Sequence, residues 1–223
     1  MARQNLTPLS IYDAPSYPIA EAARLINVPR TTLGAWVKGR SHATNAGPRH
    51  VPGVIVPADP GYLSFTNLVE AFTLAAMRRE HRLQLSQIRK AIKYVESEMG
   101  IERPLAQQAF KTDGVSLFVE KLGKLINVSS HGQLAMQQIL REHLARIDYQ
   151  RGMAVRLYPM RRPEQPKSIV IDPKLAYGRP VLRGTGIPAR MIVNRFNAGD
   201  STHALADDYN VAVELIEEAL RAA

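Results

Sequence analysis

The chain has no cysteine, so neither a disulfide nor a thiolate metal site is available to it. Its six histidines are scattered, without the paired helical spacing or nearby carboxylates that a metal centre needs. Aromatic residues are sparse, with a single tryptophan. No apolar run approaches the about 20 residues that span a bilayer, and the polar, proline-containing N-terminus does not read as a signal peptide. Also missing are a phosphate-cradling glycine loop, a nucleophile elbow and a converging pair of carboxylates. Asp207 and Asp208 are adjacent in a helical stretch, so their side chains diverge. Gly184-Thr185-Gly186 lacks the further glycines and lysine of an anion-binding loop. These absences argue against an enzyme, a cofactor and a membrane protein. The cytoplasm is the expected location.

What is present is positive charge, unevenly placed. The 223 residues carry a formal +9. Residues 1–100 hold 12 Lys/Arg against 7 Asp/Glu, residues 101–167 hold 11 against 6, and residues 168–223 hold 6 against 7. A basic body suits a polyanionic partner, and the near-neutral C-terminal part needs none.

From Ile19 to Trp36 the apolar spacing predicts two short helices. Ala22, Ala23, Leu25 and Ile26 form the face of the first, and small Ala23 permits a close crossing. Asn27 stands where the chain must turn, because Asn tolerates left-handed backbone. Val28 then fills the angle between the helices. Pro29 suits the first position of the second helix. Leu33 and Trp36 point inward, leaving Arg30, Thr31, Thr32 and Ala35 outward, with Lys38 and Arg40 at the end. Arginine can fork to guanine, threonine can meet a base edge or phosphate, and lysine neutralises backbone charge. Gly34 costs such a helix about 1 kcal/mol against Ala; it serves close approach to the duplex, or it marks a helix that reads few bases.

Val54–Val56 and Tyr62–Phe65 read as a small wing, followed by an amphipathic helix from Phe65 to Arg79 and another from Ser86 to Met99. Gly39 to Pro60, with four prolines, reads either as an enlarged wing carrying Arg49 and His50 or as a mobile loop. This order resembles the winged helix-turn-helix of the MerR-like regulators. The resemblance implies operator DNA as a partner, bound through Arg30, Thr31, Thr32, Lys38, Arg40 and Arg49.

The middle reads as a mixed scaffold suited to dimerisation. Its expected elements are a short helix from Pro104 to Phe110, a turn at 111–114, paired strands Val115–Val119 and Lys124–Val128, a helix from Gln133 to Leu144, and strands Ile147–Tyr149 and Ala154–Tyr158. The overall expectation is an α+β, mainly helical chain. It divides into a DNA-binding unit (1–100), a scaffold (101–159), a polar linker (160–167) and a C-terminal helical module with a β-hairpin (168–223).

In that last module Tyr177-Gly-Arg-Pro-Val-Leu-Arg-Gly-Thr-Gly-Ile-Pro188 predicts strand, tight turn and helix start. Residues 168–223 resemble a family known only as a domain of unknown function, with a Gly-Arg-Pro…Gly-Thr-x-Ile-Pro core. Members of it commonly look like antitoxins encoded beside a nuclease toxin. The stretch from Thr202 to Leu220 forms a second two-helix unit exposing Glu214, Glu217 and Glu218, which repel phosphate. That face serves self-association or docking of a basic partner, or is simply solvated.

The whole layout resembles an antitoxin subgroup of the Vap class. The matching stretches include Thr112-Asp113-Gly114, Gln133-Leu134-Ala135 and Arg156-Leu157-Tyr158. The resemblance implies an autorepressing antitoxin, homodimeric on near-palindromic DNA, that blocks a PIN-like nuclease. Such a nuclease holds metal with clustered carboxylates, so a plugging cation is expected among Arg179, Arg183 and Arg190, with Arg183 foremost. Alternatively Arg179 and Arg183 tie the hairpin to Asp172 or Asp200. The rival function is a MerR-like regulator with a small-molecule pocket built from Phe110, Phe118, Tyr149 and Tyr158, residues that equally suit a core.

Overall fold

The computed structural model describes residues 10–44, 47–80, 84–159 and 164–222. The first four residues of the expected linker, the tip of the Gly39–Pro60 segment and the last residue lie outside them. Mixed α and β structure is present, with the sheets all small, two-stranded and antiparallel among the described residues.

Strand β1 (Tyr17–Pro18) leads into α1 (Ile19–Leu25). Asn27 takes the left-handed conformation (φ 53°), and the Val28 amide returns to the Ala23 carbonyl. Helix α2 (Arg30–Lys38) follows. Pro29 stands just outside it, extended at ψ 138°, and so caps α2 where the sequence suggested its first residue. Ala35 is buried with Leu33, Trp36 and Val37, which corrects its expected outward position.

A hairpin forms here, from residues other than the expected wing strands. Strands β2 (Arg40–Thr44) and β3 (Gly47–Val51) make an antiparallel hairpin, paired from Arg40↔Val51 to Thr44↔Gly47. Within the Gly39–Pro60 segment, residues 40–44 and 47–51 are therefore paired strands. Val54–Val56 is not a strand. It runs back along α2, where the Val54 and Ile55 amides both donate to the Trp36 carbonyl. Gly53 permits this approach, since a Cβ there would lie 2.2 Å from the Val37 carbonyl oxygen. Strand β4 (Tyr62–Leu63) pairs with β1, closing the unit on itself.

Helix α3 (Phe65–Glu80) is not amphipathic: every residue from Phe65 to Met77 is buried. Helix α4 (Leu85–Met99) turns Ile88, Ala91, Ile92 and Val95 inward and ends at left-handed Gly100. A single 3₁₀ turn (Pro104–Ala106) and a wide turn (Phe110–Gly114) replace the expected short helix.

The strands expected at 115–119 and 124–128 are instead one helix, α5 (Val115–Ile126). Val115 and Val119 favour strands locally, but Val115, Phe118, Val119 and Leu122 also fall on one helical face, and all four are buried. Tertiary burial decided between the two periods. Asn127, left-handed at φ 54°, ends the helix. Helix α6 (Ser130–Leu144) is capped by Ser129, whose hydroxyl accepts from the Gly132 amide. A tight turn at Arg151-Gly152 joins β5 (Ile147–Gln150) to β6 (Met153–Leu157).

Strands β7 (Ile169–Val170) and β8 (Val181–Leu182) then precede three helices, α7 (Ala189–Asn197), α8 (Thr202–Tyr209) and α9 (Val213–Ala222). One apolar cluster runs from Tyr17 through α3 to Leu157 and Ile171. A smaller one joins Ile169 and Leu182 to Ile192, Leu205, Ile216 and Ala219. Leu157 and Ile171 exchange two backbone hydrogen bonds between them. Phe118 lies in the larger cluster, edge-on to Phe110 with centroids 5.9 Å apart. Phe118→Ala is expected to lower the unfolding free energy by about 3–5 kcal/mol, read from the midpoint of urea unfolding.

Candidate nucleic-acid and partner interfaces

Arg30, Thr31 and Lys38 are exposed on α2, and Thr32 is half-buried. Gly34 shares their face, and a Cβ added there would meet nothing within 4 Å. Arg40 pairs across the hairpin with Val51, two places from Arg49, so both arginines project from one side of it. On the other side the Ser41 hydroxyl lies 3.2 Å from His50 Nδ1. The sequence carries a further signal that motif reading passed over. Between Glu21 and Asp59 there is no acidic residue, while Arg24, Arg30, Lys38, Arg40 and Arg49 all fall within that span. The helix and hairpin therefore form a stripe with no built-in counter-charge.

Two devices missed by sequence reasoning hold the stripe in place. Arg89 of α4 donates to the Pro52 and Gly53 carbonyls where the hairpin rejoins the body. Deeper, the Asn67 carboxamide accepts from the Ala58 and Ser64 amides and donates to the Val56 carbonyl at 2.8 Å and to Glu70 at 2.9 Å. Buried Glu70 receives two hydrogen bonds from Arg103, at 3.1 and 2.9 Å, and Arg103 also reaches Asp13 at 3.1 Å. Burial opposes the Arg103 cation, but Glu70 and Asp13 outweigh it and raise its pKa. Nearby Glu96 is raised chiefly by its own burial, with Glu70 adding to the effect.

Arg179, Arg183 and Arg190 are all exposed, each in a different setting. Arg179 forms an ion pair with Glu21 of α1. The Arg183 guanidinium sits over the Tyr158 ring, 5.8 Å from its centroid, and the Arg183 amide donates to the Ser168 carbonyl. Arg190 opens α7. The expected ties to Asp172 and Asp200 are not made. Asp172 takes Arg156 at 2.8 Å, and Asp200 takes Arg195 at 2.5 Å. Arg195 also holds Asp208 at 2.6 Å, so its pKa is raised by Asp208 first, then Tyr209 and Asp200.

The acidic face of α9 is weaker than its composition suggested. Arg221 takes both Glu217 and Glu218, leaving Glu214 exposed. The four aromatic residues considered for an effector pocket behave as packing groups. Phe110 and Phe118 are fully buried. Tyr149 lies under the Lys111 ammonium, and burial raises its pKa. Tyr158 donates to Asp148 at 2.8 Å. A cleft does exist elsewhere, between Val54, Val56, Glu70, Ile92 and Glu96. Among the described residues no cluster of His, Asp and Glu could hold a metal ion, and no helix is long and apolar enough to cross a membrane.

The interface between the N-terminal and C-terminal parts is built from contacts far apart in sequence. The buried Tyr17 hydroxyl donates to the Gly178 carbonyl at 2.9 Å, beside the Arg179–Glu21 pair. Burial pushes the Tyr17 phenol up. It therefore stays a neutral donor.

Residues 169–222 match the model of a family described as a protein of unknown function, DUF433. A curated protein of Mycobacterium tuberculosis (strain ATCC 25618 / H37Rv), named "Putative antitoxin VapB45", is 29% identical over 95% of this chain and 95% of its own length. The crystal structure of Rv2018 from Mycobacterium tuberculosis superposes with a TM-score of 0.72 at 26% identity, covering 94% of this chain and 99% of that one. The chain is thus similar from end to end to an antitoxin-named protein, with a domain of unassigned function at its C-terminus.

Proposed function

We propose that this protein is the antitoxin of a toxin–antitoxin pair, which represses its own operator and neutralises a PIN-like nuclease. The observation that carries the antitoxin half is the similarity over 95% of the chain to the antitoxin-named relative. The DNA half rests on the acid-free stripe of α2 and the β2–β3 hairpin, which we read as a MerR-like winged helix-turn-helix. In this reading α2 enters the major groove, Arg30 reads a base edge, and Lys38, Arg40 and Arg49 neutralise phosphates beside it. Gly34 lies open in the middle of that stripe, where the duplex approaches most closely.

Binding to the promoter DNA separates these roles. Arg30→Ala is expected to lose about 1–3 kcal/mol of discrimination between operator and random DNA. Lys38→Ala should weaken both DNAs alike and flatten the salt dependence by about one unit of slope. Gly34→Ala should stabilise the fold by about 0.5–1 kcal/mol, because its Cβ meets nothing, yet bind operator less tightly. Three variants with unchanged DNA affinity and intact helical circular dichroism contradict the assignment.

On the toxin side, Arg183 is the proposed plug for the nuclease's carboxylate cluster. Tyr158 beneath it fixes the guanidinium in orientation without consuming its charge. Arg183→Ala should fold and still form the complex, but restore RNA cleavage by the neighbouring gene's product to within a few-fold of the free nuclease. Undiminished inhibition means that the block is steric and Arg183 is dispensable.

A further inference from the structure

The 3₁₀ turn Ala176–Gly178 contains three consecutive left-handed residues, at φ 45°, 56° and 75°. Two of them carry side chains, so the turn is strained where glycine would not be. Its surroundings hold it there. The Gly178 amide bonds the Leu175 carbonyl, the Arg179 amide bonds the Ala176 carbonyl, and the Gly178 carbonyl takes the Tyr17 hydroxyl. A Cβ on Gly178 would stand 2.4 Å from that hydroxyl, so the glycine is needed for the contact. Tyr177, between them, gains nothing from the strain within this chain. Its side chain projects into solvent at 96% exposure, the most exposed large apolar residue described.

A strained backbone that displays an unpacked aromatic points to recognition. The charge around it states the chemistry of what is recognised. Lys174 and Arg179 flank the turn and are exposed, and Arg24 lies one helical turn from Glu21 on α1. The acids beside it are already paired, Glu21 with Arg179 and buried Asp172 with Arg156.

We propose that Tyr177 is the anchor of a docking surface for an acidic partner protein. Its ring enters a recess of the partner, and Arg179 exchanges Glu21 for a partner carboxylate. This rests on the antitoxin reading, in which the partner is the neighbouring gene's nuclease. It places a contact at the junction with α1, away from Arg183.

The test uses the full chain and the purified product of the neighbouring gene, with affinity measured by calorimetry or interferometry. Tyr177→Gly relieves the left-handed strain, so the thermal midpoint should rise by about 1–3 °C while partner affinity falls at least tenfold. Glu21→Gln frees Arg179 and should tighten the complex two- to fivefold. If the unaltered chain does not bind the nuclease, the antitoxin reading and this proposal both fall. If it binds and Tyr177→Gly binds within twofold of it, the anchor alone is overturned. If partner-free Tyr177→Gly loses operator affinity, the turn is a nucleic-acid contact, and the proposal is equally overturned.

Discussion

The burial of α3 on every side is the constraint around which the rest of the chain is arranged. A helix buried all round has no face to give to water, so other elements must cover the circumference of Phe65–Met77. The Tyr12 ring covers one end at Phe65, β4 and β6 lie along it, the 3₁₀ turn at Pro104 and α6 close another side, and His143 stacks near Phe72. Its few polar groups are answered within the fold. Thr73 donates to Val69 and Leu105, and Asn67 and Glu70 tie the chain leaving the wing to Arg103. Unpaired, each would cost about 1–3 kcal/mol. Paired, they fix the position of α2 and the hairpin on the body.

The proposed DNA surface and partner surface are therefore parts of a connected framework. From α2 the path runs through Trp36 and the Gly53 approach to α3. From the C-terminal part it runs by β6, whose Leu157 bonds Ile171, and by Tyr17, whose hydroxyl reaches Gly178. The contact between Tyr17 and Gly178 spans 161 residues. A group bound near Arg179 touches the ion pair that holds α1.

Local rules were enough where one residue type decides a conformation. Asn27 as the left-handed turn, the strands flanking Arg151-Gly152, and the two-helix unit around Asn210 all follow from such rules. They failed where tertiary burial chose between two periods. Val115–Val119 reads as a strand until α4 and α6 offer it a helical seat. Phe65–Arg79 reads as amphipathic until its polar residues are found bonded inside. The hairpin strands were misplaced because Val54–Val56 looks strand-like, whereas polar 40–44 and 47–51 do not, yet the hairpin needs only its backbone to pair. The exposure of Arg30, Thr31 and Lys38 was legible, because α2 has a clear inward face in Leu33 and Trp36, whereas the burial of Ala35 was not. Long-range partners such as Glu21 for Arg179, Arg156 for Asp172 and Tyr158 for Arg183 leave no local trace. The missing acids between Glu21 and Asp59 were visible but are a pattern of absence, which motif reading does not weigh.

In the proposed function, α2 and its hairpin read a specific site in the gene's own promoter, two chains to a site. Hydroxyl-radical footprinting of that promoter by the purified protein tests this most directly. The expected result is a near-palindromic protected segment, with two groove contacts about 34–36 Å apart on one face of the duplex. Protection no stronger than on random DNA, or a single isolated half-site with a monomer in solution, contradicts it.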